Sequence, residues 1–233
     1  STTAQEVYWQ YIPQQSVKST SLANDDDIKS AAFFSLDEPT FKALLTKVGK
    51  QRPITIRYPL QNGSLKRFRI WETPVFHEEL SKKYPFIKSF TGITEDGTTR
   101  LRLSVSHKEV QGMCVDVGSH RASFLEKSKE SGLYVAYERD KSVLKDSPFV
   151  CKTTEMARAT DLFPAVLIDD QTLRKFRIAV SATGEYTEYH GGTVADALAA
   201  INATLTRVNE VFETDLAVTL ELVPDNDQII FTD

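Results

Sequence analysis

Residues Phe176-Arg-Ile-Ala-Val-Ser-Ala-Thr183 form the first of two short apolar runs that flank a long amphipathic segment, and the second run is Ala217-Val-Thr-Leu-Glu-Leu-Val223. Runs of this length and composition are typical of β-strands. Between them, apolar residues recur at steps of three and four, which predicts a helix from about Thr193 to Glu213. The apolar stripe consists of Val194, Leu198, Ile201, Leu205, Val208, Val211 and Phe212. A strand–helix–strand unit is therefore predicted, and such a unit needs further strands and a second layer to bury its faces.

The part of the chain that precedes this unit predicts an antiparallel β-rich architecture. Asn62-Gly63 and Asp96-Gly97 are hairpin turn signals, and the alternating runs Leu65–Trp71 and Thr99–Val105 lie beside them. Short helices are predicted within this part at Pro39–Val48 and Pro74–Tyr84. The whole chain is therefore predicted to belong to the α+β class.

Changes in composition divide the chain into four segments. Residues 1–32 form a polar leader that contains the acidic run Asp25–Asp27, and residues 33–140 form the β-rich unit. Residues 141–172 are predicted to be a linker, because they carry prolines and charges with little periodicity, and such exposed stretches are sensitive to proteases. Residues 173–233 contain the strand–helix–strand unit.

The bulk composition excludes several classes of protein. Hydrophobic residues make up 41% of the 233 residues and charged residues 26%, which is typical of globular proteins. The net charge is −4 and no long basic block is present, so we expect no nucleic-acid partner. No apolar run approaches the roughly 20 residues that span a bilayer, so we expect no membrane partner.

Several segments resemble a known family. Phe176–Tyr186, His190–Thr193 and Arg207–Leu216 are similar to the start of the catalytic domain of reprolysin-like metallopeptidases, secreted bacterial zinc endopeptidases of the metzincin clan. Gly63–Val75 and Lys83–Gly92 resemble the pro-segment that precedes that domain. The resemblance covers most of the chain from about Phe33 onward. It implies a secreted zymogen with a β-rich pro-domain (33–140), a linker that includes the activation region (141–172) and the first β–α–β of a metzincin-like α/β catalytic domain (173–233).

The resemblance implies that the complete enzyme hydrolyses peptide bonds through a zinc-bound water. The family's zinc motif is His-Glu-x-x-His-x-x-Gly-x-x-His/Asp. The histidines of this chain are His77, His107, His120 and His190. They include no pair with that spacing, so no catalytic residue is assigned, and we expect this chain alone to bind no zinc and to be inactive. Its partners would be the rest of the catalytic domain and, in the complete enzyme, peptide or protein substrates.

Calcium is a second candidate cofactor, with Glu185 as a ligand in a complete domain. The acidic runs Asp25–Asp27 and His77-Glu78-Glu79 also carry groups that bind cations. Such runs are more often solvated faces, because a cation site needs several convergent oxygens.

The cysteines Cys114 and Cys151 leave three alternatives open. Cys151 follows the β-rich unit, and the resemblance implies that its thiolate binds the catalytic zinc in the latent enzyme. A disulfide between Cys114 and Cys151 would exclude that role, and pairing is favoured in secreted proteins. The third alternative is a buried, inert thiol.

Two alternative functions also remain. The β-rich pro-domain would act as a separate inhibitory or chaperone module, or the whole chain would be a non-enzymatic β-sandwich with a binding or adhesion role.

Overall fold

The computed structural model describes residues 8–14, 28–128, 131–139 and 172–233. The described residues before 140 form one antiparallel sheet of nine strands with short helices and turns, which we call the β-rich unit. The strands are β1 (Trp9–Ile12), β2 (Ile28–Leu36), β3 (Ile54–Pro59), β4 (Leu65–Glu72), β5 (Lys88–Ile93), β6 (Thr99–Val105), β7 (Val110–Asp116), β8 (Ala122–Lys127) and β9 (Tyr134–Arg139). The spatial order β1-β2-β9-β8-β7-β6-β5-β4-β3 makes β3 to β9 a continuous meander.

Glycines with positive φ form the predicted hairpin turns of this meander. Gly63 (φ 84°) connects β3 to β4, and Gly97 (φ 71°) connects β5 to β6. In the second turn, Asp96 accepts hydrogen bonds from the Thr94 hydroxyl and from the backbone and hydroxyl of Thr98, which lower the pKa of Asp96 to about 2. The hairpin signals in the sequence are thereby confirmed.

The main hydrophobic core lies where helix α1 (Glu38–Leu45) packs on the sheet. Trp9 is only 2% exposed and makes edge-on ring contact with Tyr134. The Arg57 N–H donates to the Tyr8 hydroxyl at 2.6 Å, so the sheet curls and β1 lies beside β3. The sheet therefore takes in residues that the sequence analysis gave to the polar leader, because aromatic side chains anchor them in the core.

Residues 172–233 form a smaller α/β unit. It contains β10 (Arg174–Ile178), α3 (Gly184–His190), α4 (Val194–Leu216), β11 (Val218–Leu222) and a 3-10 helix (Asn226–Ile229). Strands β10 and β11 pair in parallel with α4 between them in the chain, as the predicted strand–helix–strand order requires. Helix α3 was not predicted from the sequence; it forms because Thr183 caps it and Thr187 is fully buried.

A second hydrophobic core is shared between the two units. From the α/β unit it includes Leu198, Ile201, Leu205 and Leu222, and from the β-rich unit it includes Val75, Phe76, Leu80 and Ile87. The latter lie between β4 and β5, around the short helix α2 (Glu78–Lys83). None of the described helices is both long enough and apolar enough to span a membrane.

Candidate functional site

The two units meet at what we call the docking interface. On one side are the segment Thr73–Ile87 and strands β5 to β7, and on the other are α4 and β11. Helix α4 has an apolar face in the second core and a polar stripe against the sheet. The polar stripe consists of Asn202, Thr206, Glu210 and Glu213, which lie three or four residues apart and therefore on one side of the helix.

A hydrogen-bond network joins the middle of α4 to the sheet. Ser89 donates to Asn202 Oδ1 at 2.9 Å, and Asn202 Nδ2 donates to Ser104 Oγ at 2.8 Å. The hydroxyl of Thr206 lies 3.0 Å from that of Ser89. All four side chains belong to buried residues, so each polar group has its partner on the other unit, as burial requires.

A buried ion-pair cluster follows toward the C-terminal end of α4. Glu210 is 2% exposed and lies 2.6 Å from Arg102 Nε and 2.5 Å from Arg100 Nε. Arg102 also pairs with Glu213 and donates to Thr91 at 2.9 Å. The sheet therefore supplies the cations and the helix supplies the carboxylates.

The turn between β6 and β7 contacts the N-terminal end of α4. His107 Nε2 lies 2.8 Å from Asp196 Oδ1, and Lys108 Nζ lies 3.4 Å from the same oxygen. Lys108 also donates to the backbone carbonyl of His190. Asp196 completes the cap of α4 by accepting from the hydroxyl of Thr193 at 2.7 Å.

The neighbours of Asp196 favour the charged form of its carboxyl group. Burial raises the pKa of Asp196, but hydrogen bonds from Thr193 and His107 and the charge of Lys108 outweigh it and hold the pKa below its ordinary value of 3.8. A carboxyl with a lowered folded-state pKa contributes stability above its unfolded pKa and loses that contribution as the pH falls through the folded value.

We therefore predict that Asp196→Asn removes part of the acid sensitivity of the chain. The urea midpoint should fall more steeply for the wild type than for the variant as the pH drops from about 5 to about 2. Other carboxylates, such as Asp96, titrate in both proteins, so the difference between the two curves isolates Asp196. Parallel curves would contradict the prediction.

In another ion pair between the two units, helix α4 supplies the cation and the sheet supplies the carboxylate. Arg207 on α4 lies 2.9 Å from Glu126 on β8 and donates to Gln111 at 3.0 Å. Its guanidinium also lies over the ring of Phe124 at 5.5 Å. The side chains of Arg207 and Glu126 remain about a quarter exposed, so this pair contributes at most about 1 kcal/mol.

The segment Thr73–Ile87 extends the small parallel sheet. The Leu222 N–H donates to the Val75 carbonyl at 2.8 Å, and the His77 N–H donates to the Leu222 carbonyl at 2.9 Å. Phe76 thereby forms a parallel bridge with Leu222. The β-rich unit thus pairs with the edge of β11 at a single residue.

Asparagine side chains bond further backbone groups in the α/β unit. Asn209 on α4 accepts from the Leu220 N–H at 2.8 Å and donates to the Leu220 carbonyl at 2.9 Å. Asn226 bonds in the same way to the N–H and carbonyl of Val180, at 2.8 and 3.0 Å. Both asparagines are buried, and the Asn209 amide occupies the position on the edge of β11 that a neighbouring strand would fill.

The cysteine alternatives remain untested, because Cys151 lies outside the described residues. Cys114 lies on β7, is 3% exposed and belongs to the main core. Burial raises the pKa of its thiol well above the ordinary value, so Cys114 is protonated and poorly reactive at neutral pH.

Those residues proposed from sequence as metal ligands that the structure describes do not converge. Glu185 is exposed at the start of α3, and the acidic run Asp25–Asp27 lies outside the described residues. His77 caps α2, and His107 faces Asp196 across the docking interface. Within the described ranges no group of three His, Cys, Asp or Glu side chains is arranged to hold a metal ion. The described residues among them therefore do not fit a zinc or calcium centre.

The docking interface itself was not predicted from the sequence. The stripe of Asn202, Thr206 and Glu210 has the composition of a solvated helix face, and its burial depends on a partner surface 90 to 120 residues away in the chain. The available signal was the alternation on β6, where Arg100 and Arg102 flank the buried Leu101. Paired arginines on one face of a strand indicate a carboxylate-bearing partner only once the helix is known.

Comparison with known proteins identifies a relationship for the α/β unit. Residues 172–233 match the family described as Metallo-peptidase family M12B Reprolysin-like. No curated protein and no solved structure gave a match. The family match covers the α/β unit and supports its relationship to a family of metallopeptidases.

Proposed function

We propose that this chain is the pro-domain-containing part of a secreted zinc metalloendopeptidase. Residues 172–233 would be the opening β–α–β part of the catalytic domain, and the β-rich unit would be a pro-domain that keeps this part folded and inhibits the enzyme. The observation that carries the proposal is the second core, to which Val75, Phe76, Leu80 and Ile87 contribute beside the residues of α4 and β11.

The composition of the docking interface supports a pro-domain that can later separate. Apart from the segment Thr73–Ile87, the facing groups are hydroxyls, amides and charges, such as Ser89, Arg102, Asn202 and Glu210. Permanent interfaces are usually more apolar. A polar surface can be solvated by water after separation, which suits a unit that is removed on activation.

The pairing of β10 supports the view that the α/β unit belongs to a larger domain. Within the described residues, β10 pairs only with β11. Leu173 and Phe176 are each more than half exposed. An apolar hollow of about 430 Å³ opens beside Val180, Tyr186 and other residues of the same unit. An open strand edge beside exposed apolar groups is normally covered by further structure.

The zinc ligands of the proposed enzyme would lie outside these 233 residues, so no catalytic step is assigned to residues of this chain. Cys151 is proposed as the thiolate that holds the zinc in the latent form. Counting free thiols in the unfolded, unreduced chain tests this role: two free thiols agree with it, whereas none would indicate the Cys114–Cys151 disulfide.

The activity test uses the natural gene product in its intact form and after cleavage between residues 140 and 171. We expect one zinc per molecule in both preparations and casein hydrolysis only after the β-rich unit has been removed. Equal activity in both preparations would exclude inhibition by the β-rich unit. A product without zinc or peptidase activity in either form would exclude the enzyme and favour the non-enzymatic binding protein.

The 233-residue chain serves as the control in the same assays. We expect it to bind no stoichiometric zinc and to hydrolyse no casein, because the zinc motif is missing from its sequence. Metal binding with turnover by this chain would contradict the proposal.

A further inference from the structure

We propose that the outer edge of β11 is an acceptor site for an extended peptide. Its occupant is the segment Thr73–Ile87, which holds the β-rich unit on the α/β unit after the chain between them has been cut. The inference rests on the proposed function and adds to it the anchor that decides when the pro-domain leaves.

The backbone hydrogen bonds of β11 define the size of the acceptor site. On this edge, the N–H and carbonyl of Leu220 are satisfied by Asn209, which belongs to the same unit. The N–H and carbonyl of Leu222 are satisfied by Val75 and His77, which belong to the β-rich unit. The site therefore recognises an extended backbone at one residue, with the geometry of strand addition.

The side chains of the segment make it an anchor. Val75, Phe76, Leu80 and Ile87 are each at most 4% exposed. They pack with Leu198 and Leu222, among others, in the second core. Unlike the polar pairs elsewhere in the docking interface, these side chains cannot exchange their contacts for hydrogen bonds to water, so their release exposes apolar surface.

An ionic contact at the rim fixes the position of the segment. Lys83 Nζ lies 3.3 Å from carboxylate oxygens of both Asp225 and Asp227, and the Tyr84 hydroxyl lies 3.4 Å from Asp227. Because these groups are partly exposed, they orient the segment more than they hold it. The ligand class that fits is an extended peptide with two adjacent apolar residues, followed by a helical turn that carries a leucine and a lysine.

The test uses the 233-residue chain with the recognition sequence of a specific protease inserted between residues 141 and 171. The chain is cleaved at this sequence until no intact chain remains on a denaturing gel. The two pieces should stay together in gel filtration at micromolar concentration. Phe76→Ala should weaken their association at least about 100-fold, because truncating a buried phenylalanine loses about 3–5 kcal/mol and 1.4 kcal/mol is tenfold. Circular dichroism of the uncut variant checks folding, since Phe76 lies outside the main core.

A pair of proline variants distinguishes the loss of one backbone hydrogen bond from a general disturbance of the segment Thr73–Ile87. His77→Pro removes the N–H that donates to the Leu222 carbonyl. The φ of His77 is −54°, which proline can adopt. We expect this variant to weaken the association of the two pieces about tenfold. Glu78→Pro places proline at the first position of α2, where it is well tolerated, and should change association by less than about threefold. Arg207→Gln, at the exposed ion pair, should change it by less than about fivefold.

Separation of the cut wild-type pieces at micromolar concentration would overturn the inference. So would a Phe76→Ala variant whose pieces associate as tightly as those of the wild type. The measurement needs no peptidase activity, so its failure is distinguishable from a failure of the proposed enzyme function.

Discussion

Replacement of Arg102 by methionine should destabilise the chain by about 3 kcal/mol. The substitution leaves the carboxylate of Glu210 buried, with Arg100 as its remaining partner. Removing one member of a buried ion pair usually costs about 3–5 kcal/mol, because the other charge stays desolvated, and the retained contact with Arg100 favours the lower end. Urea unfolding followed by circular dichroism measures the loss.

The matched control is Arg121→Met. Arg121 lies 3.7 Å from Glu138, but its side chain is 60% exposed, so the same substitution should cost less than about 1 kcal/mol. Equal losses for the two variants would contradict the claim that Glu210 depends on Arg102 for its burial. The double variant Arg102→Met with Glu210→Leu should recover part of the loss, since it removes the buried charge as well.

Replacement of Asn226 by leucine should cost about 2–4 kcal/mol. Asn226 is fully buried, and its amide bonds both the N–H and the carbonyl of Val180. Leucine has a similar size but leaves the N–H and carbonyl of the half-buried Val180 without their partners. A buried group without a partner costs about 1–3 kcal/mol, and partial access of water favours the lower end for each of these two groups. Urea unfolding measures the global loss, and hydrogen exchange at the Val180 amide measures the local one.

Gln228→Leu is the control for that substitution, because Gln228 is exposed in the same 3-10 helix. Its cost should stay within about 0.5 kcal/mol. If Asn226→Leu left both the unfolding curve and the exchange of the Val180 amide unchanged, the two hydrogen bonds between Asn226 and Val180 would not be stabilising the α/β unit.

The elements that the sequence predicted well are those with strong local signals. The apolar stripe of α4 and the turns at Gly63 and Gly97 depend on spacing and on positive φ, which are properties of neighbouring residues. Helix α4 extends three residues past the predicted end at Glu213 because it stops only at Ala217, which has a φ of 52°. Alanine carries no sequence signal for that conformation.

The elements that were missed depend on distant contacts. Strand β8, with the sequence Ala-Ser-Phe-Leu-Glu-Lys, lacks clear alternation and is fixed by its neighbours β7 and β9. Strand β1 forms because Trp9 enters the main core. Such elements are selected by tertiary packing, which overrides weak local preferences.

The parts of the candidate site also differ in how far the sequence predicts them. The resemblance to the start of a catalytic domain rested on the α/β unit, and the family match falls on that unit. The resemblance of Gly63–Val75 and Lys83–Gly92 to a pro-segment stays a prediction. The docking interface joins residues such as Arg102 and Glu210, which lie far apart in the chain and have ordinary surface composition. No spacing rule relates them, so only the folded arrangement shows that they meet.

Hydrogen exchange at the Leu222 amide of the intact 233-residue chain tests the docking of the two units most directly. Its N–H is bonded by Val75 of the β-rich unit, whereas the Leu220 N–H on the same edge is bonded by Asn209 of the α/β unit. Docking predicts that both amides exchange slowly. Rapid exchange at Leu222 beside continued protection at Leu220 would show that the β-rich unit does not occupy the edge of β11.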